Sequence, residues 1–537
     1  MTLPALLQLR DLTVTIRTSN GTIPVVRGVS FDLFAGRTLA IVGESGSGKT
    51  MTAMSVLGLG PPGTPMTLGG EARFDGLDVM RMSENEMRAL RGSRIGAVFQ
   101  DPAGSLNPLM PVGEQIREAA RAAGSDRSVA RTKVSALLDE VGLAHLPGIA
   151  GRYPHELSGG QQQRCMIALA LAGDPDLLVA DEPTTALDSD VADQIIALLA
   201  TLQTRRRMAL LFISHDLGVV SRLAQDIIVM RDGQVIEAGS TRQILVNPQE
   251  DYTKALIACT PGTGGRPRAR LMTLDMIRSG AVPGPKRPVV PGPVVASVRD
   301  LTVRYPGRGL FRPGHPALQG VSLDLHAGTS LGLVGASGSG KSTLGRALVG
   351  LVATQSGEIR VNDQLLHRNG HRLASDRRQV QYVFQDASGA LNPRRTIGQS
   401  LLEPQRIHRV PLGTTDQMLA EVGLPADIAE RFPAELSGGQ LQRVTIARAL
   451  ALRPACLICD EITSALDVSS QALVLNVLSD LQERLKLAIL FISHDRALVE
   501  HFCDKVLIMT DGRLADVDLR RPVADVSSSA PIVAEPA

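Results

Sequence analysis

The peptide ELSGGQQQR at Glu156–Arg164 returns as ELSGGQLQR at Glu435–Arg443, 279 positions later and with eight of nine residues identical. It does not return alone. GESGSGKT (Gly43–Thr50) recurs as GASGSGKS (Gly335–Ser342), and VFQD at Val98–Asp101 recurs at Val383–Asp386. ADEPTTALD (Ala180–Asp188) is matched by CDEITSALD (Cys459–Asp467), and LFISHD occurs at Leu211–Asp216 and again at Leu490–Asp495. The offset stays at 279 from the nonapeptide to the histidine, but is 285 at the glutamine and 292 at the lysine. The copies therefore differ by short insertions in their first halves. A unit this long, repeated once, is a duplicated domain and not a short-period solenoid. A chain of 537 residues also exceeds what one core organises.

Composition narrows the class. Apolar residues make up 44% of the chain and charged ones 20%, the range of an ordinary globular protein. A net charge of +2 supplies no overall field for nucleic acid, and none is expected as a partner. Mean hydropathy is slightly positive. Yet apolar runs such as Ala209–Ile213 and Ala488–Ile492 stop at Ser-His-Asp, far short of the roughly 20 residues of a membrane span. The opening MTLPALLQLRD lacks a basic segment leading into a long apolar one, so no signal peptide is expected. The five cysteines form no disulfide framework. Cys456-x-x-Cys459 lies in an apolar run with no second pair or histidine cluster to complete a metal site, and reads as two buried small hydrophobes.

Within each copy a short β-rich run, Thr38–Gly43 in the first, feeds a Gly-rich turn and then a helical stretch. LLVAD and LLFIS are continuous apolar runs, as parallel strands covered on both faces present. DVADQIIALLATLQTR between them has helical spacing and suits a crossover. The expected fold is α/β, a mostly parallel sheet with functional residues at strand ends. The expected domains are residues 1–260 and 295–520. A Pro/Gly-rich linker at 261–294, with one short helix around Leu271–Ile277, joins them, and a flexible tail occupies 521–537.

Gly43-x4-Gly48-Lys49-Thr50 is a phosphate-binding loop. Its glycines let backbone N–H groups curl around phosphate oxygens at the positive end of the following helix. Gly43, Ser45, Gly46 and Gly48 form the turn, Lys49 is expected to reach the β- and γ-phosphates, and the Thr50 hydroxyl to hold Mg²⁺. Gly335, Ser337, Gly338, Gly340, Lys341 and Ser342 repeat the arrangement, so ATP and Mg²⁺ are the expected ligands. Asp181 and Asp460 end apolar strands, where a carboxylate binds Mg²⁺ directly or through water. Glu182 and Glu461 follow at once, placed to polarise an attacking water. Acids that merely cap strands would account for one such pair, but not for two in register with two phosphate loops. His215 and His494 end the next strand, where an imidazole can hydrogen-bond a γ-phosphate.

The order phosphate loop, Gln, LSGGQ, Asp-Glu, His resembles that of the ATP-binding-cassette family. The chain resembles two complete cassettes fused in tandem, over roughly residues 5–260 and 295–520. The resemblance implies two P-loop NTPase cassettes, each with a mostly parallel sheet core and a helical signature subdomain. It implies that Gln100 and Gln385 are lid glutamines, which contact the metal or the attacking water and signal to a membrane subunit. Ser158, Gly159, Gly160 and Gln161, with Ser437, Gly438, Gly439 and Gln440, match the signature motif. In the family this motif closes over ATP held by the opposite cassette. The second nonapeptide then has a reason: ATP at Lys49 is closed by Ser437 and Gly439, and ATP at Lys341 by Ser158 and Gly160. Both acids and both histidines are present, so two hydrolytic sites are expected. Tyr305 matches the aromatic that stacks on adenine, whereas the first copy offers Ile16 and Arg17 there. Ile462 stands where the first copy has Pro183, and no functional consequence is assigned to it.

DPAGSLNP (Asp101–Pro108), DASGALNP (Asp386–Pro393), RYPHELSGGQ, RFPAELSGGQ and NPQEDYTKALIA (Asn247–Ala258) look like the peptide/nickel importer branch, most of all its fused two-cassette ATPases for dipeptides, oligopeptides and glutathione. The partners so implied are two integral-membrane permease subunits and an extracytoplasmic solute-binding protein. The chain would then sit on the cytoplasmic face of the membrane and touch it only through the permeases. Many relatives carry a cysteine cluster for an iron–sulfur centre after the segment equivalent to DYTKAL. Here only Cys259 lies there, and no cluster is expected. The expected function is ATP-driven import of a small solute, di- or oligopeptides in the first place; nickel or glutathione import by the same mechanism is one alternative, and a soluble tandem-cassette translation factor another. Against the latter, the linker is Pro/Gly-rich where such factors have a long, charged helix.

Overall fold

The apolar runs marked as strands are buried on both faces. In the first copy Ala209, Leu211 and Ile213 enter one hydrophobic cluster and Leu210 and Phe212 another, so alternate side chains of a single strand serve two cores. The computed structural model describes residues 4–18, 21–61, 63–185, 187–260, 270–273, 276, 279, 281, 284, 289–306, 314–366, 378–410, 413–464 and 466–516. Two compact units emerge, carried mainly by the first and the second copy. The short helix expected around 271–277 lies largely outside the described residues, and the tail at 521–537 wholly so.

The first copy begins with a hairpin, β1 (Ala5–Thr18) and β2 (Gly21–Phe34). There follow β3 (Thr38–Val42), α1 (Lys49–Val56), β4 (Met66–Phe74), β5 (Leu77–Asp78), α2 (Glu84–Ser93) and β6 (Ile95–Val98). Helices α3 (Pro102–Ser105), α4 (Val112–Ala122), α5 (Arg127–Glu140) and α6 (Gly159–Ala170) come next. The copy closes with β7 (Leu177–Asp181), α7 (Ser189–Arg206), β8 (Ala209–Ile213), α8 (Leu217–Leu223), β9 (Asp226–Arg231), β10 (Gln234–Ser240), α9 (Thr241–Val246) and α10 (Asp251–Cys259). The central sheet has the order β10-β9-β3-β8-β7-β6, parallel throughout except at β10–β9. A second, antiparallel sheet of order β2-β1-β4-β5 packs over α1, and Leu7, Leu9, Leu12 and Val14 share a core with Ala53 and Val56. Helices α4, α5 and α6 bury Ile116, Leu137, Leu138 and Ile167 against the other face.

The second copy repeats this plan. Its elements are β11 (Val294–Tyr305), β12 (His315–His326), β13 (Ser330–Val334), α11 (Lys341–Leu348), β14 (Ser356–Val361), β15 (Gln364–Leu365) and β16 (Val380–Val383). They continue with α12 (Ile397–His408), α13 (Thr415–Glu421), α14 (Gly438–Leu450), β17 (Cys456–Asp460), α15 (Val468–Leu485), β18 (Ala488–Ile492), α16 (Arg496–Phe502), β19 (Lys505–Thr510) and β20 (Arg513–Asp516). The sheet orders are β16-β17-β18-β13-β19-β20 and β12-β11-β14-β15, the same topology as before. Cys456 and Cys459 are both fully buried in β17. Side chains three apart on a strand project to opposite faces, so these two cannot share a ligand. Burial pushes the Cys456 thiol up to about 12, which fits an inert core residue. Among the described residues no helix is long and apolar enough to cross a membrane.

Candidate active sites

Each phosphate loop is shaped by glycines at its two ends. Gly43 has φ 153°, and a Cβ there would lie 2.2 Å from the Met230 carbonyl oxygen. Gly48 has φ 94°, and its Cβ would lie 2.7 Å from the Val25 carbonyl oxygen. Any side chain would open the loop, so glycine is required at both ends. Gly335 (φ 155°) and Gly340 (φ 110°) meet the same obstacles at Met509 and Ala317. Lys49, the first residue of α1, is 5% exposed and donates to the carbonyls of Gly43 at 2.8 Å and Glu44 at 2.7 Å. Its ammonium thus braces the loop from within. Burial lowers its pKa, against the raising influence of Glu182 and Asp181. Lys341 makes the equivalent bonds to Gly335 and Ala336 at 2.6 and 2.9 Å.

Strand β7 delivers Asp181 to the edge of this loop, where its Oδ1 accepts from the Thr50 hydroxyl at 3.1 Å. Burial pushes the Asp181 carboxyl up to about 6. In the second copy Asp460 Oδ1 accepts from the Ser342 hydroxyl at 3.0 Å, and burial again raises its pKa. A hydroxyl and a carboxylate set this close beside a phosphate loop are hard oxygen donors that suit Mg²⁺, which takes one or two protein oxygens and fills its shell with phosphate and water. Both pairs fit such an ion. Among the described residues no cluster of three His, Cys, Asp or Glu offers a self-sufficient metal cage.

The next residue turns the chain sharply. Glu182 has φ 45° and Glu461 φ 50°, the left-handed region, which costs a residue with a side chain about 1–3 kcal/mol. The amide of Glu182 donates to Ile213 O at 3.0 Å and that of Glu461 to Ile492 O at 2.9 Å, anchoring each kink to the neighbouring strand. The strain aims the carboxylate across the mouth of the loop, where a regular strand would turn it toward the sheet face. There Glu182 Oε1 lies 3.3 Å from His215 Nδ1, and Oε2 accepts from Gln100 Nε2 at 3.2 Å and from Thr185 Oγ1 at 3.0 Å. Burial opposes its ionisation, but the bond and charge of His215, the Thr185 bond and the Lys49 charge together bring its pKa below the usual carboxylate range. For His215, burial works against protonation and Glu182 overrides it, so the pKa is raised. In the second copy Glu461 Oε1 lies 3.6 Å from His494 Nδ1, and Gln385 Nε2 donates to Oε2 at 3.0 Å. The His494 bond is the main influence lowering Glu461, and Glu461 the main one raising His494. Both glutamines and both histidines, expected at metal, water or γ-phosphate, are thus gathered on the glutamate.

Ser158 and Ser437 cap the helices that start just after them. Gln161 N donates to Ser158 Oγ at 3.4 Å while Gln161 Oε1 accepts from Ser158 N at 3.0 Å, a capping box that Ser437 and Gln440 repeat at 3.3 and 3.0 Å. The glycines between present free backbone N–H groups at the helix start. Tyr305, 39% exposed at the end of β11, has its hydroxyl 3.3 Å from Thr343 Oγ1, beside the first turn of α11. In the first copy Ile16 occupies the Tyr305 position at the end of β1, and Arg17 is exposed.

The sequence reading missed two features of the sites. Thr185 follows Glu182 by three residues, and a hydroxyl in that place of the EPTTALD run is the signal that could have singled it out. Tyr382, in β16, donates its hydroxyl to Asp460 Oδ2. It has no counterpart in the first copy, where the position is Ala97.

Two buried lysine loops, each beside a hydroxyl–aspartate pair and a histidine-tethered glutamate, define a P-loop NTPase of cassette type. The family model described as ABC transporter matches residues 26–185 and 318–464. The chain belongs to the ABC transporter family: it is an ATP-binding subunit with two cassettes, and an ATPase. It is 42% identical over 545 residues to the glutathione import ATP-binding protein GsiA of Escherichia coli (strain K12), covering 96% of this chain and 86% of that one. The protein of the same name from Pectobacterium atrosepticum is 42% identical over 539 residues, with the same coverage. Among solved structures, cbiO1 from Clostridium perfringens, part of the ABC transporter complex cbiONQ, is matched at 28% identity and TM-score 0.40, over 45% of this chain and 91% of that one.

Proposed function

We propose that this chain hydrolyses ATP to drive import of a small peptide-like solute, glutathione or a di- or oligopeptide, through two separate permease subunits served by an extracytoplasmic solute-binding protein. It would lie on the cytoplasmic face of the membrane and meet the bilayer only through those permeases. The observation that carries this reading is the same lysine, hydroxyl, aspartate, glutamate and histidine constellation in both cassettes of a chain that aligns over 96% of its length with import ATP-binding proteins.

In this reading Lys49 and Lys341 bind the β- and γ-phosphates. Thr50 with Asp181, and Ser342 with Asp460, hold the Mg²⁺. When bound, that ion neutralises charge on the phosphate oxygens. Glu182 and Glu461 orient the attacking water and take its proton. His215 and His494 keep those carboxylates ionised and in place, and Gln100 and Gln385 hold their second oxygen. The signature turns at Ser158–Gln161 and Ser437–Gln440 serve as γ-phosphate clasps.

The solute is tested by reconstituting the chain with its permeases and binding protein in liposomes with ATP on the cassette side. Uptake of radiolabelled glutathione or dipeptide is expected. Uptake of radioactive Ni²⁺ alone would replace the solute class. Sedimentation with ribosomes together with no transport would overturn import altogether. Exchange of signature motifs is tested by expressing the halves apart: each should hydrolyse ATP slowly alone and recover on mixing.

A further inference from the structure

The two metal-binding aspartates are not held alike. Asp181 Oδ1 accepts from Thr50, and the residue of β6 opposite this end of the sheet is Ala97. Asp460 has both oxygens engaged, Oδ1 by the Ser342 hydroxyl at 3.0 Å and Oδ2 by the Tyr382 hydroxyl. Tyr382 reaches it from the neighbouring strand, where it pairs with Ile458, two residues before the aspartate.

Two further substitutions between the copies accompany that tyrosine, and one shared phenylalanine finds a partner in it. Gly345 in α11 faces its ring, and a Cβ there would come within 3.0 Å of Tyr382 Cε2; the first copy has Ala53 at this position. Arg346 bears electrostatically on both Tyr382 and Asp460, where the first copy has Met54. Phe384 packs on the ring with centroids 4.7 Å apart, whereas its first-copy equivalent is Phe99, which has no aromatic neighbour at position 97 to pack on. Space and a neighbouring cation are thus built around one phenol in one cassette.

Given the assignment of Asp460 to Mg²⁺ under Proposed function, on which this rests, we propose that Tyr382 is a positioning residue that locks the Asp460 carboxylate with Oδ1 toward Ser342. The second cassette then binds the divalent cation more tightly than the first. A carboxylate fixed by an outer partner loses less freedom on binding a metal, and loss of such a partner typically costs about 10–100-fold in metal affinity.

The test is a Mn²⁺ titration of the full chain with a non-hydrolysable ATP analogue, followed by electron paramagnetic resonance. Wild-type protein should show two binding classes of unequal affinity, and Asp460→Asn should remove the tighter one. Tyr382→Phe, which keeps the ring, should weaken the tighter class about 10-fold and leave the other unchanged. The first-cassette variant Ala53→Gly/Met54→Arg/Ala97→Tyr should tighten the weaker class, a readout independent of how Tyr382→Phe folds. Equal classes in the wild type, or a Tyr382→Phe isotherm superimposable on it, would overturn the proposal. If Asp460→Asn left both classes intact, the metal assignment itself would fall, a different failure from that of Tyr382.

Discussion

The two cassettes agree at every group proposed above to meet phosphate, metal or water and differ in what stands behind those groups. Lysine, hydroxyl, aspartate, kinked glutamate, histidine and glutamine occupy the same places in both. Behind them the first copy has Ile16, Ala53, Met54 and Ala97, and the second Tyr305, Gly345, Arg346 and Tyr382. A reacting group tolerates little change, because a small displacement from attack geometry costs orders of magnitude in rate. The supporting layer can be rebuilt in several ways that keep that geometry, and there the copies have diverged.

The largest effect should come from the shared layer. Glu182→Gln and Glu461→Gln are each expected to lower steady-state ATP hydrolysis by about 10²–10⁴-fold at the altered site, with the double variant trapping ATP; filter-binding of nucleotide alongside phosphate release checks both. Equal losses from the two singles would show that the sites turn over equivalently. Full activity in the double variant would remove both residues from the reaction.

The supporting layer gives smaller and one-sided effects. Gly345→Ala pushes a Cβ against Tyr382 at 3.0 Å, Ile458 at 3.1 Å and Ile492 at 3.2 Å, and should destabilise the second copy by about 1–3 kcal/mol. The reverse change, Ala53→Gly, should cost the first copy about 1 kcal/mol through helix propensity. Hydrogen exchange of α1 and α11 amides reads each copy separately. Tyr305→Ala should weaken binding of a fluorescent adenine nucleotide at one site only, by the about 1–3 kcal/mol that a base–aromatic stack contributes. Two-site loss would contradict the difference between Tyr305 and Ile16.

The smallest effect is a titration. In nucleotide-free, metal-free protein both histidines should titrate above the ordinary value of about 6.5 by NMR. Each glutamate, with its pKa depressed, stays ionised until pH falls through that lowered value, and each histidine stays charged until pH rises through its raised one. The pair therefore contributes most to stability between the unfolded glutamate and histidine pKa values, about 4.3 to 6.5, and its contribution fades as pH climbs past the raised histidine pKa. Glu182→Gln should drop His215 below the ordinary value, because burial is the strongest influence left on it. Glu461→Gln should lower His494 as well, with burial ranking behind the lost bond.

The parallel strands and their order of motifs were readable because strands covered on both faces are apolar throughout, and both copies repeat them. The antiparallel sheet was not. In β1 the buried residues run Leu7, Leu9, then Leu12, Val14, and the period of two breaks where Asp11 adopts φ 48° and the pairing register shifts. Asp300 breaks β11 in the same way between Val298 and Leu301. A bulge moves the apolar residues from odd to even positions, and the alternation that marks a half-buried strand disappears from the sequence.

By itself the sequence determined that two copies of one nucleotide-binding unit exist and which residues form each phosphate loop, strand-end acid pair and signature turn. Inside each of those motifs the residues lie within a few positions of one another, and their spacing carries the chemistry. Only the tertiary structure decided that histidine and glutamine converge on the glutamate, that a left-handed backbone aims it, and that Tyr382 holds Asp460. Tyr382 and Asp460 are 78 residues apart, Gln100 and Glu182 are 82 apart, and no local pattern links such partners. Adjacent strands of one sheet bring them within a hydrogen bond of each other.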